Sequence, residues 1–318
     1  MKAPGGGVET LGIQDVKAYG IFWKFISGFR IEMIALVAGY VFSFQVNDLH
    51  RVYEFKSFAW KKFKRLLIPC WFFSIFYFFM FLFTPDTGLY KCFETIISGA
   101  GHLWFLPMLF WCFICLWCID RFKLSSFVFF VFLLFCSLIP ELPIGFGFGK
   151  FPHFLFYCYL GYCMWSHNVW LEEKCTKNSI IISLLILYCA LFIINRCYLS
   201  NLDLGDTIYM KIFGYGINSI VKLISSITGI FCVYLFVLKL VRKKNYVPSN
   251  FIIGASSLCY GMYVYHQSIL KWLYLHTNVP TMVGSYLLPW VALLITVFLS
   301  YILTKLTLKF RFGRFLIG

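Results

Sequence analysis

Leu66-Leu67-Ile68-Pro69-Cys70-Trp71-Phe72-Phe73-Ser74-Ile75-Phe76-Tyr77-Phe78-Phe79-Met80-Phe81-Leu82-Phe83-Thr84 runs without one charged side chain. The run is continuously apolar, where a barrel strand would alternate, so it reads as a membrane-crossing helix. A helix needs about 20 such residues to cross roughly 30 Å of hydrocarbon. Working outward, nine spans can be drawn, over residues 31–46, 66–84, 102–119, 124–140, 151–165, 179–194, 217–238, 251–272 and 286–304. Several are short, and flanking aromatic residues are expected to complete them at the interface. The expected fold is an all-α polytopic membrane bundle of about nine transmembrane helices.

Composition agrees. The 318 residues are 61% hydrophobic and 13% charged, with a mean hydropathy of +0.80. A soluble domain is closer to half apolar and about a quarter charged. The first twenty residues are Gly-rich and polar, without the apolar core of a cleavable signal. Residues 31–318 are therefore expected to form one membrane-embedded domain, preceded by an external segment, 1–30. Within that segment, Ile21 to Ile26 is apolar enough to lie along the interface but too short to cross it.

The net charge of +15 does not point to nucleic acid, because the cations fall in short loops between spans. Loops after the first, third, fifth, seventh and ninth spans hold eighteen Lys and Arg, against eight on the other side. That bias places the C-terminus in the cytoplasm of a multi-pass cell-membrane protein and the N-terminus outside. Lys222 and Lys271, inside drawn spans, are expected to snorkel. Most of the thirteen cysteines lie in apolar runs. Cys112, Cys115 and Cys118 recur every third residue and read as packing residues rather than a zinc site. Gly145, Gly147 and Gly149, in the loop 140–152, follow no strand and read as turn chemistry. The longest outer loop, 195–215, is a candidate lid.

Ionisable side chains at membrane depth are candidates for function, because hydrocarbon does not solvate them. His102 opens a span beside Trp104 and Phe105, where the other reading is an interfacial residue of an aromatic belt. His266 stands fifteen residues beyond Phe251, roughly 22 Å along its helix. Tyr263 is one turn below it and Gln267 adjoins it, a polar edge on an apolar helix. A carbonyl of a neighbouring helix is the structural alternative for that imidazole. Lys62 and Arg65, three apart, would share a helix face at the cytoplasmic boundary. They suit either a phosphate clamp or anchorage to anionic headgroups.

Four elements, in order, resemble the acyltransferase-3 family, integral membrane enzymes that move acyl groups onto sugars. Phe29-Arg30-Ile31-Glu32-Met33-Ile34-Ala35-Leu36-Val37-Ala38-Gly39-Tyr40 looks like its second helix, with a turn-forming or close-packing glycine. Lys62-Phe63-Lys64-Arg65-Leu66-Leu67-Ile68-Pro69 is similar to its two-cation element. His102-Leu103-Trp104-Phe105-Leu106 matches the third, and Ser257-Leu258-Cys259-Tyr260-Gly261-Met262-Tyr263-Val264-Tyr265-His266 resembles its late helix. The resemblance covers about residues 29–318.

It implies a bundle of about ten helices and transfer of an acyl group, expected to be acetyl, from acyl-CoA to a hydroxyl of a cell-surface or lipid-linked glycan. That is O-acetylation in polysaccharide biosynthesis. Lys62 and Arg65 would hold the acyl-CoA, and His102 and His266 would be catalytic, since imidazole accepts a hydroxyl proton near neutral pH. Glu32, Trp104, Tyr263 and Gln267 are candidates for substrate contact. No metal or bound cofactor is implied; acyl-CoA is a co-substrate. The donor's thioester arm must then thread into the bilayer from the side opposite the histidines.

The family's catalytic histidine lies on its first helix, eleven residues after a basic residue. Here that spacing occurs only at Lys91 and His102, across the start of a different helix, and reads as coincidence. The chain is accordingly expected to lack the family's first helix, as an incomplete gene product, one with an alternative start, or a catalytically inactive relative. The rival class is a transporter of lipid-linked glycan, for which repeated halves with broken helices would be the sign. A polysaccharide polymerase would call for a large outer loop rich in arginine; the longest here has Arg196 and Lys211.

Overall fold

The computed structural model describes residues 16–85, 88–197, 208–243 and 248–317. All regular structure among them is helical. In chain order come α1 (Lys17–Ser27), α2 (Arg30–Asn47), α3 (Phe55–Lys62), a π-helical turn (Phe63–Leu67), α4 (Ile68–Phe81), α5 (Leu89–Ser98) and a 3₁₀ turn (Gly101–Trp104). Then follow α6 (Phe105–Arg121), α7 (Phe127–Ser137), α8 (Phe151–Ser166), α9 (Asn168–Cys175), α10 (Asn178–Cys197) and α11 (Ile208–Lys243). The last are α12 (Asn250–His276), α13 (Val279–Met282), α14 (Leu288–Lys309) and α15 (Arg311–Ile317).

Each of the nine expected spans is found as a helix. Six helical runs among the described residues are both long and apolar enough to cross a membrane: Lys17–Asn47, Phe55–Phe81, Gly101–Arg121, Asn178–Cys197, Phe213–Val241 and Leu288–Lys309. The helices of the other three, α7, α8 and α12, fall short for different reasons. Helix α7 has only 11 residues and α8 only 16, about 16 and 24 Å of rise. Helix α12 has 27 residues, long enough, but carries the polar edge of Tyr263, His266 and Gln267.

Three local expectations change. The cations 56–62 are helical, because α3 runs through the π turn into α4. The segment before residue 30 contains α1, pinned by the Tyr188 hydroxyl of α10, which donates to the Phe25 carbonyl, and by Tyr19, which donates to the Tyr286 carbonyl at 2.7 Å. The candidate lid shrinks to residues between Cys197 and Ile208, which lie outside the described part.

The core sits where α2, α6 and α8 meet. Helices α2 and α8 run parallel: Glu32 faces His153 at one end, and Asp48 accepts from the Trp165 indole at 2.7 Å at the other. Their backbones touch between these points. A Cβ on Gly39 would lie 1.8 Å from the Cys158 carbonyl oxygen, and one on Gly161 2.0 Å from that of Leu36. Gly39 is thus a close-packing glycine, the small-residue device by which helices associate in lipid. Outside this core the surface is strongly apolar: Leu294 is 70% exposed and Ile186 63%. Faces of that kind are tolerated against acyl chains and not in water.

The glycine-rich loop is a turn, as expected. Gly147 has φ +79° and packs so closely on α6 that a Cβ would meet the Met108 nitrogen at 2.5 Å. Cys112 is fully buried, with its thiol 3.5 Å from the Met108 sulfur, a packing role.

Candidate active site

His102 is set in place by α4. The chain leaves α5 through Gly99 (φ +89°) and Gly101 (φ +62°), a left-handed conformation that a Cβ would strain. At Gly101 a Cβ would also meet the Tyr77 ring at 2.5 Å. The Ala100 amide donates to Ser74 Oγ at 2.9 Å, and the Cys70 thiol points to the Leu103 carbonyl at 3.5 Å. The sequence Ser98-Gly99-Ala100-Gly101-His102 therefore bends sharply and delivers a largely buried imidazole to α12.

One face of α12 receives it. Tyr260, Tyr263 and His266, each three residues apart, lie on that face. The Tyr260 hydroxyl donates to the Arg65 carbonyl at 2.6 Å and the Tyr263 hydroxyl to the His102 carbonyl at 2.7 Å. The Tyr263 carbonyl in turn faces His102 Nε2 at 2.9 Å and His266 Nδ1 at 2.6 Å. A carbonyl only accepts, so both of those nitrogens carry hydrogen. Two tautomers follow. His102 has its lone pair on Nδ1, buried and without a partner, and His266 has its lone pair on Nε2. The rings stand 4.8 Å apart. The carbonyl expected for His266 thus comes from its own helix, whereas His102 takes one from the helix opposite. Gln267 follows on the same helix, half-buried.

Helix α12 also fixes the distance between the two-cation element and the histidines. Arg65 and His102 are gripped by tyrosines one turn apart, about 4.5 Å of rise. Lys62 and Arg65 do not present a matched pair of exposed cations. The Lys62 ammonium turns inward, 3.4 Å from the Phe113 ring centre and 5.5 Å from Phe58, while the Arg65 side chain is exposed. The π turn begins just after Lys62 and rotates Arg65 away from its α-helical register. Such turns recur at functional sites. Lys271 lies over Tyr77, 4.6 Å from the ring centre.

A second polar place opens at the same end of the bundle, between α2, α7, α8, α10 and α11. It is a cavity of about 560 Å³. Glu32 lines it, with Oε1 3.7 Å from His153 Nε2. His153 Nδ1 lies 3.0 Å from the Ser137 carbonyl, so that nitrogen carries the hydrogen. Trp104 links the two places. Its ring packs on Phe154, 5.7 Å between centres, beneath the Lys150 ammonium at 3.9 Å. Lys150 pairs with Glu141 at 3.5 Å on the rim.

Of the residues singled out from sequence, the fold joins His102, His266 and Tyr263 in one cluster and ties Arg65 to it. Glu32 stands apart, in the cavity. His153, Tyr157, Ser225 and Ser226, which line the same cavity, were missed. A signal existed for His153: an ionisable residue inside the span 151–165, matching an unpaired carboxylate in the span 31–46. Nothing in the sequence marked the tyrosine and serines, which resemble those of any membrane helix.

Neither a curated protein nor a solved structure matches the chain. The acyltransferase-3 family model, an acyltransferase domain, matches residues 7–306. With all four sequence elements inside that stretch, the chain belongs to the acyltransferase-3 family of membrane acyltransferases.

Proposed function

We propose that the protein transfers an acetyl group from acyl-CoA to a hydroxyl of a cell-surface or lipid-linked glycan, at the cell membrane and with its C-terminus in the cytoplasm. The observation that carries this reading is the single face of α12 that joins Arg65 to the paired imidazoles. On it, the backbones of Arg65, in a cationic element suited to a nucleotide-bearing donor, and of His102, beside a proton acceptor suited to a hydroxyl, are held by tyrosines one helical turn apart. A donor anchored at Arg65 need thread its thioester only a short way to reach His266.

In the proposed step the acceptor hydroxyl approaches the His102–His266 pair. His266 is the more accessible of the two and offers the Nε2 lone pair; His102 stands behind it. The imidazole takes the hydroxyl proton as the oxygen attacks the thioester carbonyl. The C–S bond then breaks, and the departing thiolate of CoA takes up that proton. Lys62, Arg65 and Tyr260 hold the donor's end of the path, and Tyr263 holds both imidazoles in the required tautomers. Trp104 and Gln267 border the acceptor's approach.

The test is labelling. Membranes containing the protein are expected to pass radiolabel from acetyl-CoA to a glycan. If the glycan stays unlabelled while intact lipid-linked sugar crosses the vesicle wall, the protein is a transporter and the reading is wrong. Cysteine tagging of positions 62 and 65 is expected to place both on the cytoplasmic side, where acyl-CoA resides.

A further inference from the structure

Charge is distributed unevenly along this chain. No Asp or Glu follows Asp206, whereas eleven Lys and Arg do. Four of the eleven, Lys305, Lys309, Arg311 and Arg314, gather where α14 gives way to α15, and all four are exposed. Among the described residues none of them pairs with a carboxylate; the ion pairs there are Lys150–Glu141 and His153–Glu32. Orientation in a membrane asks only that such cations lie on one side. Helix α15 goes further, because it sets two of them along an apolar edge.

Helix α15 folds back on α14 at Gly313, where a Cβ would meet the Thr307 carbonyl oxygen at 1.9 Å. At about 100° per residue, its side chains divide into three sectors. Gly313, Leu316 and Ile317 are buried, with the helix packed on α4 and on the π turn that bears Arg65. Phe312 and Phe315 form the next sector, 61% and 47% exposed, with ring centres 6.5 Å apart. Arg311 and Arg314 form the third. The aromatic sector is not aimed at water. Phe312 packs on Phe72 of α4 at 5.6 Å, and Phe72 on Phe76 at 5.0 Å. It thus continues the lipid-facing side of α4, on which Phe76 and Phe79 are exposed. Protein, hydrocarbon and polar sectors on one short helix are the arrangement of a helix lying in the interface. The two guanidiniums then stand at headgroup level, where their forked donors suit a phosphate.

We infer that α15 is a seat for an anionic phospholipid, with Arg311 and Arg314 donating to its headgroup phosphate and Phe312 and Phe315 against its acyl chains, and that this lipid steadies the donor end of the acyl-transfer path. The second part follows from what the buried sector touches. Ile317 reaches Gly261 of α12, where a Cβ would lie 3.0 Å from its Cδ1. Gly261 adjoins Tyr260, whose hydroxyl holds the Arg65 carbonyl. A lipid that fixes α15 therefore steadies both sides of the Arg65 turn. Helix α9, on the same side by loop charge, offers a contrast: Lys174 is exposed there, but Glu172 and Glu173 precede it. Its cation is balanced, and those of α15 are not. The lipid seat rests on α15 alone; its effect on transfer rests on the acyl-transfer reading.

The test takes the full chain, in a neutral detergent, to native mass spectrometry with equal amounts of dioleoylphosphatidylglycerol and dioleoylphosphatidylcholine. The native protein should retain phosphatidylglycerol preferentially. R311Q/R314Q should lower that preference about 25-fold, roughly fivefold for each cation at the surface, and K174Q/K177Q should leave it nearly unchanged. No loss in R311Q/R314Q, or an equal loss in both pairs, overturns the seat. Acetyl transfer is then measured in vesicles in which phosphatidylglycerol replaces phosphatidylcholine stepwise. The rate should rise severalfold in the native protein and in K174Q/K177Q and stay flat in R311Q/R314Q. An equal rise in all three overturns the coupling to the donor end. A KM for acetyl-CoA raised in R311Q/R314Q in phosphatidylcholine alone would assign the arginines to the donor and overturn the proposal. A lipid preference without label transfer in any vesicle sinks the acyl-transfer reading and leaves the lipid seat standing.

Discussion

The two polar places at one end of this bundle are built on opposite principles. Around α12 the polar groups are tied to the protein: two tyrosine hydroxyls and two imidazoles all find carbonyls, and each imidazole keeps one lone pair, on His102 Nδ1 and His266 Nε2. Around Glu32 the polar groups are looser: the Tyr157 and Ser226 hydroxyls lie against each other, and Glu32 Oε2 and Ser225 Oγ have no hydrogen-bond partner among the described residues. A cluster bonded in this way in a low-dielectric interior is rigid and holds a defined tautomer. Groups without such bonds are not fixed in one orientation in that way. The difference teaches where the chemistry and where the recognition are expected to lie in this molecule.

The comparison can be broken most forcefully at the histidines. Replacing His266 with Ala removes the accessible lone pair, and acetyl transfer is expected to fall about 10²–10⁴-fold, the usual range for a lost acid–base group. The KM for the acceptor should stay nearly constant. Transfer near the native rate in both His266→Ala and His102→Ala would move the chemistry to the cavity.

A smaller effect is expected where backbone geometry supports the tied cluster. Gly101→Ala places a Cβ against the Tyr77 ring at a left-handed φ. It is expected to lower stability on the order of 2 kcal/mol and to reduce turnover by shifting His102. Thermal unfolding followed with label transfer would check both. Unchanged values in both would mean that the turn before His102 is not the support described above.

The smallest effect probes the bridge between the places. Lys150→Ala removes the cation from Trp104 and is expected to cost about 0.5–1 kcal/mol of stability, since exposed cation–π pairs are weak. Its effect on acceptor KM should exceed that on kcat. A change confined to kcat would mean that Trp104 serves the histidines alone.

How much was legible beforehand depends on the range of the interaction concerned. All nine apolar spans reappear as helices, because length and continuous hydrophobicity act along the chain. The glycine of Gly39-Tyr40 was readable as a turn or a close contact, and only the α2–α8 crossing chose between them. Lys62 and Arg65 looked like a matched pair at helical spacing. The π turn separated them, an event that residue spacing does not announce. From the sequence alone, the helices before residue 30 and over residues 55–62 look like an interfacial segment and a loop, because both are too short or too charged to stand out as spans.

Hydrophobicity written along the chain was sufficient to make this an all-helical membrane protein, and four short elements placed it in its family. Which carbonyl each imidazole faces, and that Glu32 meets His153 across 121 positions of sequence, were decided by helix packing alone. Hydrogen bonds act over about 3 Å, so their partners exist only once distant helices have been brought side by side.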